Sequence, residues 1–207
     1  MKEKFTPESP KLLVVEGNDD EGFFKKVSKE IGIKDLQILN LEGVGEFNAT
    51  TLRAIRQTHN FEVIVRSMVI VRDADKNAQQ VFESIRNALE RVDLPFPKNP
   101  MEFEVRDKGG IKVGVLIIPP NRDKGKLEDL CLLSVQDLRE MRCIDSFFEC
   151  VRTVVDEFPK DLPKAKIQAF LASRKKSVPH LGVGMQKGYF PVDNKVFDGI
   201  KTFLKAM

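Results

Sequence analysis

Two short apolar segments, each ending abruptly in acidic residues, constrain the fold of this chain more than any other feature. Residues 11–16 run through Leu-Leu-Val-Val into Glu16, and residues 67–72 run into Asp73-Ala-Asp75. Both are rich in β-branched residues, which is typical of buried strands in a parallel sheet. In an open α/β sheet, ligands bind beyond the carboxyl ends of the strands. If the two strands are parallel, Glu16, Asp73 and Asp75 therefore lie at the same edge.

These three carboxylates predict a cation site. Asp73 and Asp75 are expected on one side, because alternate residues of a strand share a face. Crowded carboxylates repel one another unless a proton or a cation neutralises them. A hard divalent ion held by oxygen ligands, Mg²⁺ (or Mn²⁺), meets that need. The competing interpretation is an aspartate turn that caps a helix starting near Lys76. It explains one aspartate better than two together with Glu16.

The order of these motifs resembles a known domain. Val15-Glu16-Gly17 at one strand end, followed far downstream by Asp73-Ala74-Asp75 at another, resembles the Toprim domain of topoisomerases, primases and related nucleases. The resemblance covers about residues 11–130 and looks most like small stand-alone proteins related to the nuclease half of OLD-type proteins. It implies a Rossmann-like, mainly parallel sheet flanked by helices, and metal-dependent phosphoryl transfer on nucleic acid.

Further candidate site residues surround the two motifs. Asp20 lies one turn into the first predicted helix and can add an oxygen ligand. OLD-type Toprim nucleases place another acidic residue and a lysine near the metals, and Leu127-Glu-Asp129 resembles that element. The alternative for Glu128 is an acid in the first turn of a helix, which the helix dipole stabilises by about 0.3–1 kcal/mol. The candidate metal ligands are Glu16, Asp20, Asp73, Asp75 and Glu128. Glu16 is also a candidate general acid or base, and Lys124 or Lys126 would stabilise charge developing on phosphate.

The remaining pattern predicts one domain over residues 1–207, with an α/β core at 11–130 and a helical C-terminal extension at 135–207 packed on it. Hydrophobic periodicity and turn residues place strands at 11–16, 36–41, 67–72, 103–106 and 112–118, and helices from 18 or 19 to about 30 and at 48–59, 78–92, 137–157, 163–173 and 194–206. The strands at 103–106 and 112–118 are predicted to form a hairpin through Gly109-Gly110. Another helix is predicted to start at Leu130.

Basic and glycine-rich segments offer weaker signals. Arg174, Lys175 and Lys176 form a basic run that is either a solvated helix end or a patch contacting nucleic-acid phosphates. The loop at 42–46 contains a Gly-x-Gly pattern but lacks the third glycine of a dinucleotide fingerprint. Its backbone N–H groups either form a turn or contact a phosphate. His59 is predicted to lie near a helix end at the surface.

Composition limits the classes of function. The net charge of +3, from 34 basic and 31 acidic residues, does not by itself indicate a nucleic-acid partner. No apolar run approaches the ~20 residues of a membrane span, and the first residues lack a signal-peptide pattern. The three cysteines, Cys131, Cys143 and Cys150, are expected to be reduced core thiols of a cytoplasmic protein. The sequence leaves the oligomeric state open.

Features that the chain lacks argue against some activities of Toprim proteins. A topoisomerase needs a tyrosine nucleophile, and the sole tyrosine, Tyr189, lies outside the motif region. A primase usually carries a zinc-binding segment, which these cysteines do not supply. Receiver domains and haloacid-type phosphatases also place aspartates at strand ends, but in a different order. The sequence therefore predicts a Mg²⁺-dependent nuclease of Toprim type. The alternative is a non-catalytic nucleic-acid-binding or regulatory module that needs a partner protein.

Overall fold

The structure is a computed structural model that describes residues 5–43, 47–106 and 110–207. Five strands and nine helices are described. In chain order they are β1 Lys11–Val15, α1 Asn18–Glu30, β2 Leu36–Asn40, α2 Ala49–Arg56, α3 His59–Ile64, β3 Ser67–Asp73, α4 Ala78–Arg91, β4 Phe103–Val105, β5 Lys112–Ile118, α5 Leu127–Val135, α6 Arg139–Val154, α7 Leu162–Ala172, α8 Leu181–Gln186 and α9 Asp198–Lys205. A 3-10 turn at Lys195–Phe197 leads into α9.

The strands form one sheet in the order β2-β1-β3-β5-β4. β1, β2, β3 and β5 are parallel, and β4 pairs antiparallel with β5 at the edge. The predicted α/β class, with a mainly parallel sheet flanked by helices, is confirmed. Because β1, β3 and β5 are neighbours and parallel, the residues that follow each of them meet at one edge of the sheet.

Helices cover both faces of the sheet, which explains why its strands are apolar at nearly every position. Leu13 and Val69 point into one core, which they share with α1, α5 and the C-terminal helices. Leu12 and Met68 point into the other core, beneath α2, α3 and α4. The C-terminal helical segment packs on the α1 side of the sheet.

Helix α8 was not predicted, because two of its six residues are glycines, which disfavour helices. The glycines are explained by the close approach of α8 to α1. A Cβ atom on Gly22 of α1 would lie only 2.5 Å from the Cα atom of Gly182. The absence of side chains at this crossing therefore allows the two helix backbones to touch.

Other predicted elements differ in detail. The helix expected at 48–59 is two helices, and the break comes at Thr58, whose hydroxyl donates to the Ile55 carbonyl oxygen (2.7 Å). His59 consequently opens α3 rather than ending a helix. Helix α5 begins at Leu127 instead of Leu130, which puts Glu128 in its first turn. Gly109 of the predicted hairpin turn lies outside the described residues.

The cysteine prediction was wrong in two cases. Cys131 is buried and free, but Cys143 and Cys150 are exposed on α6. α6 is amphipathic, and both thiols lie on the side away from its buried residues, so they are not core thiols. No helix among the described residues is long and apolar enough to span a membrane.

Candidate functional site

Asp73 occupies the centre of a group of carboxylates at the carboxyl edge of the sheet. It is the last residue of β3, and its Oδ1 accepts a hydrogen bond from the Leu127 N–H at the start of α5 (3.0 Å). Burial, followed by the negative charges of Asp20, Glu128 and Glu16, raises the pKa of Asp73 to about 9. Its carboxyl group is therefore protonated at neutral pH in the absence of a cation.

Glu16 follows the neighbouring strand β1 and is only 7% exposed. Its Oε1 forms an ion pair with Nε of Arg72, whose guanidinium lies 5.1 Å from the centre of the Phe47 ring. Burial raises the pKa of Glu16 to about 7, with Asp20 and Asp75 adding to the increase and Arg72 opposing it. This side chain thus exchanges a proton near neutral pH.

Asp20 lies in the first turn of α1, as predicted from its spacing to Glu16. Its Oδ2 accepts a hydrogen bond from the Gly17 N–H (3.2 Å), so Gly17 and Asp20 together cap the helix. Burial outweighs that hydrogen bond and raises the pKa of Asp20 to about 6, and the charge of Glu128 contributes to the increase. Neither Asn18 nor Asp19 caps α1, because the N-cap residue is Gly17. Asp19 instead accepts a hydrogen bond from the Gly182 N–H of α8 (2.8 Å).

Helix α5 brings Glu128 to the same group. Burial raises the pKa of Glu128, with a further contribution from Asp161 and opposition from Lys126. Lys126 Nζ donates to Asp161 Oδ2 over 3.1 Å, and this hydrogen bond raises the pKa of Lys126. Asp161 also caps α7 by accepting the Lys164 N–H (3.1 Å). α5 and α7 are therefore tied together beside the carboxylates.

Asp75 occupies a different environment from the one predicted. β3 ends at Asp73, so strand alternation does not extend to Asp75, which is exposed and has a left-handed backbone (φ 48°). Its backbone exchanges two hydrogen bonds with Gly125 (2.9 and 3.0 Å). The strand alternation from which we expected Asp73 and Asp75 on one face therefore does not apply. The charge of Asp75 is still close enough to raise the pKa of Glu16.

An open groove of about 930 Å³ adjoins the carboxylates. Four acidic residues and four basic residues line it, which are Asp75, Asp123, Asp129 and Asp161, and Arg122, Lys124, Lys126 and Lys160. Both predicted lysines thus face this groove, and Lys124 is exposed. The groove therefore presents basic and acidic side chains together, and Asp75 is the one candidate metal ligand that lines it.

The chemical type of the candidate ligands fits a hard divalent cation better than their positions do. All the candidate ligands are carboxylates, and burial makes ionisation of Glu16, Asp20 and Asp73 costly unless a cation is bound. However, within residues 5–43, 47–106 and 110–207, no group of three or more His, Cys, Asp or Glu side chains is placed to hold a metal ion. A bound ion would therefore have to draw these carboxylates closer together.

The chain matches a family model over nearly its whole length. The family model described as "Protein of unknown function (DUF3226)" matches residues 10–207. The chain belongs to this family. No curated protein and no solved structure matches it. The DUF3226 match extends over both the carboxylate edge and the C-terminal helices, so the family comprises the sheet and its helical extension together.

The basic run of this DUF3226 chain is not brought to the carboxylates. Arg174 forms an ion pair with Glu140 of α6, and its guanidinium lies 4.3 Å from the centre of the Phe170 ring. Lys175 and Lys176 are exposed. In the described part of the chain, none of the three has an ion pair or hydrogen bond with a candidate ligand. The guanidinium of Arg174 consequently has a structural contact within the C-terminal segment.

The glycine-rich loop after β2 begins beside the site. The Gly43 N–H donates to the Glu16 carbonyl oxygen over 2.9 Å. Residues 44–46, which complete the Gly-x-Gly pattern, lie outside the described residues. The predicted contact of this loop with a phosphate therefore stays a prediction.

Two site residues escaped sequence analysis. Arg72 ends a predicted strand directly before Asp73, and a cation next to an acidic strand end is a usable signal. Asp161 lies between two helices of the C-terminal segment and belongs to no motif. Its only local signal is its position two residues before Pro163, which is typical of a helix N-cap.

Proposed function

We propose that this protein is a Mg²⁺- (or Mn²⁺-) dependent nuclease of Toprim type that hydrolyses phosphodiester bonds of nucleic acid in the cytoplasm. The observation that carries the proposal is the meeting of Glu16, Asp20, Asp73 and Glu128, from four segments of the chain, at the carboxyl edge of the sheet. The resemblance of the two sequence motifs to Toprim domains supports the same reaction class.

Asp73, Asp20 and Glu128 would hold the cation, with Glu16 and Asp75 at its periphery. When bound, a divalent ion neutralises phosphate oxygens and increases the acidity of water. Hydrogen bonds from the Leu127 and Gly17 N–H groups orient Asp73 and Asp20 before the ion arrives. Binding of the ion would still have to draw the carboxylates closer together.

Glu16 would transfer the proton. With a pKa of about 7 it holds and releases a proton with similar ease at neutral pH, which suits a general acid or base. Arg72 engages Oε1 of the carboxylate, so Oε2 would accept a proton from the attacking water. The ion pair keeps the side chain in one orientation while it does so.

The cations of the groove would bind the nucleic-acid backbone. Lys124 is exposed there, and Lys126 would exchange its partner Asp161 for a phosphate oxygen. A lysine ammonium binds phosphate as a point charge and stabilises negative charge as it develops. Lys175 and Lys176 are further exposed candidates for backbone contacts, whereas Arg174 would have to leave Glu140.

One set of contacts favours the alternative of a non-catalytic nucleic-acid-binding or regulatory module that acts with a partner protein. Asp73 and Asp20 each accept a backbone N–H group at the start of a helix, which is a structural task. If capping were their sole task, loss of their charge would not affect any ligand. Metal binding therefore separates the two functions.

The test combines calorimetric titration with Mg²⁺ and Mn²⁺ and cleavage assays on plasmid, single-stranded DNA and RNA. Asp73→Asn removes the carboxyl group that would bind the ion but keeps an acceptor for the Leu127 N–H, and Asp137→Asn at an exposed site is the matched control. We expect metal binding and cleavage by the wild type and by Asp137→Asn, and neither by Asp73→Asn. Metal binding without cleavage of any substrate would favour the regulatory module. Absence of metal binding to the wild type would refute the metal site.

A further inference from the structure

Helix α6 carries an apolar stripe that nothing in the described structure covers. Cys143, Phe147, Cys150 and Val154 are all exposed, with Phe147 at 56% and Val154 at 73%. Their successive spacings of four, three and four residues place them within about 60° of one another around the helix. The core-facing residues of α6, which include Phe148, form a separate stripe.

The spacing of the exposed stripe is that of a helix–helix seam. Apolar residues that alternate at intervals of three and four form the contact line between two packed helices. An apolar helix face that covers the core points inward, and a helix face that contacts only solvent is normally polar. The stripe therefore fits another helix with a similar line of side chains.

The charges at the two ends of α6 determine which helix fits. Arg139 and Arg142 lie at its start, and Asp156 and Glu157 follow its end. All four are exposed, and none has an ion-pair partner in the described part of the chain. A second α6 in antiparallel orientation would bring the basic end of each helix to the acidic end of the other. A parallel copy would bring like charges together, which is unfavourable.

We propose that two copies of this protein associate through α6, related by a two-fold axis that makes the helices antiparallel. With the axis at the midpoint of the stripe, Phe147 pairs with Cys150 of the second copy, and Cys143 pairs with its Val154. The stripe covers one helix of 16 residues, about 24 Å long, so the interface lies at the small end of specific interfaces. The dimer is accordingly weak and its population depends on concentration.

The first test measures sedimentation velocity over a roughly hundredfold range of protein concentration. We expect the wild type to pass from monomer to dimer, and Phe147→Glu to weaken the dimer by at least about tenfold, because it places two carboxylates in the seam. Val63→Glu is the matched control, since Val63 is equally exposed (58%) but lies on α3. A wild type that stays monomeric throughout would overturn the proposal. So would a dimer that Phe147→Glu leaves unchanged.

A disulfide test keeps the proposal falsifiable if Phe147→Glu fails to fold. In a Cys150→Ser background, Val154→Cys places a thiol opposite Cys143 of the second copy. Oxidised glutathione would convert the two thiols to an intermolecular disulfide and be reduced to two molecules of glutathione. We expect a covalent dimer that disappears when Cys143→Ser is added. Failure to cross-link, or cross-linking that persists without Cys143, would overturn the antiparallel arrangement.

Discussion

Replacing Asp73 with asparagine should stabilise the metal-free protein at neutral pH. Burial and the charges of Asp20, Glu128 and Glu16 raise the pKa of Asp73 to about 9, far above its ordinary value of 3.8. Asparagine resembles the protonated carboxyl group in size and retains an oxygen to accept the Leu127 N–H. The variant therefore keeps the folded contacts and removes the titration.

The magnitude follows from proton linkage. The unfolded chain loses the Asp73 proton above about pH 3.8, whereas the folded chain keeps it until the pH approaches 9. Stability from this group is thus fully present below pH 3.8 and is lost as the pH rises toward 9. At pH 7 the loss is at most about 4 kcal/mol, from roughly three pKa units at about 1.4 kcal/mol each. Asp73→Asn should recover most of it.

The assay is urea unfolding with a metal chelator present, at several values between about pH 5 and 8. We expect the stability difference between Asp73→Asn and wild type to grow with pH, by up to about 1.4 kcal/mol per unit. Asp137→Asn, at an exposed site, should show no such slope. A difference that is independent of pH, or a variant that is less stable throughout, would mean that Asp73 is ionised in the folded protein and that the burial argument is wrong.

Three further predictions concern the site and its supporting helices. Apparent Mg²⁺ affinity should rise with pH, because binding displaces the proton of Asp73. Calorimetry in buffers of different ionisation enthalpy should detect the released proton. An affinity independent of pH would exclude Asp73 as a ligand. Arg72→Leu should raise the pKa of Glu16 above about 7 and shift the pH profile of cleavage to higher pH, and an unshifted profile would remove Glu16 as the group that transfers the proton. Gly22→Ala should destabilise the fold by about 1–3 kcal/mol in urea unfolding, since its Cβ would meet the α8 backbone. Gly199→Ala, whose Cβ would approach only a methionine side chain at 3.4 Å, should be tolerated, and equal effects at both sites would contradict the packing argument.

The sheet was predictable because its signals are local. β1 and β3 are runs of apolar and β-branched residues that end in a carboxylate, and a parallel arrangement alone brings Glu16 and Asp73 to one edge. The position of Asp75 was not predictable in this way. The alternation of side chains applies only within β3, which ends before Asp75. The hydrogen bonds that the Asp75 backbone exchanges with Gly125 determine the position of Asp75.

The features that sequence analysis missed depend on distant contacts. The glycines of α8 disfavour a helix in isolation, and only the approach of α1 explains them. Asp161 reaches Lys126 because α7 packs against α5, which no local pattern encodes. The sequence alone permits Arg174 to contact nucleic acid, but the fold places Glu140 of α6 beside it and the two side chains form an ion pair.

Helix capping alone does not explain the acidic edge. On the other side of the sheet, α2 and α4 are capped by Asn48 and Asn77, whose neutral side chains accept N–H groups at 3.0 Å. Asp73 and Asp20 also accept backbone N–H groups at the starts of α5 and α1, yet burial raises both of their pKa values. A helix N-terminus stabilises a nearby anion by about 0.3–1 kcal/mol. The pKa of Asp20 alone is raised by about two units, which corresponds to about 3 kcal/mol. Ionising a carboxyl group here therefore destabilises the fold by more than the helix N-terminus stabilises it. Helix capping does not require carboxylates, because asparagine caps α2 and α4 of the same chain. Binding a divalent cation does require them.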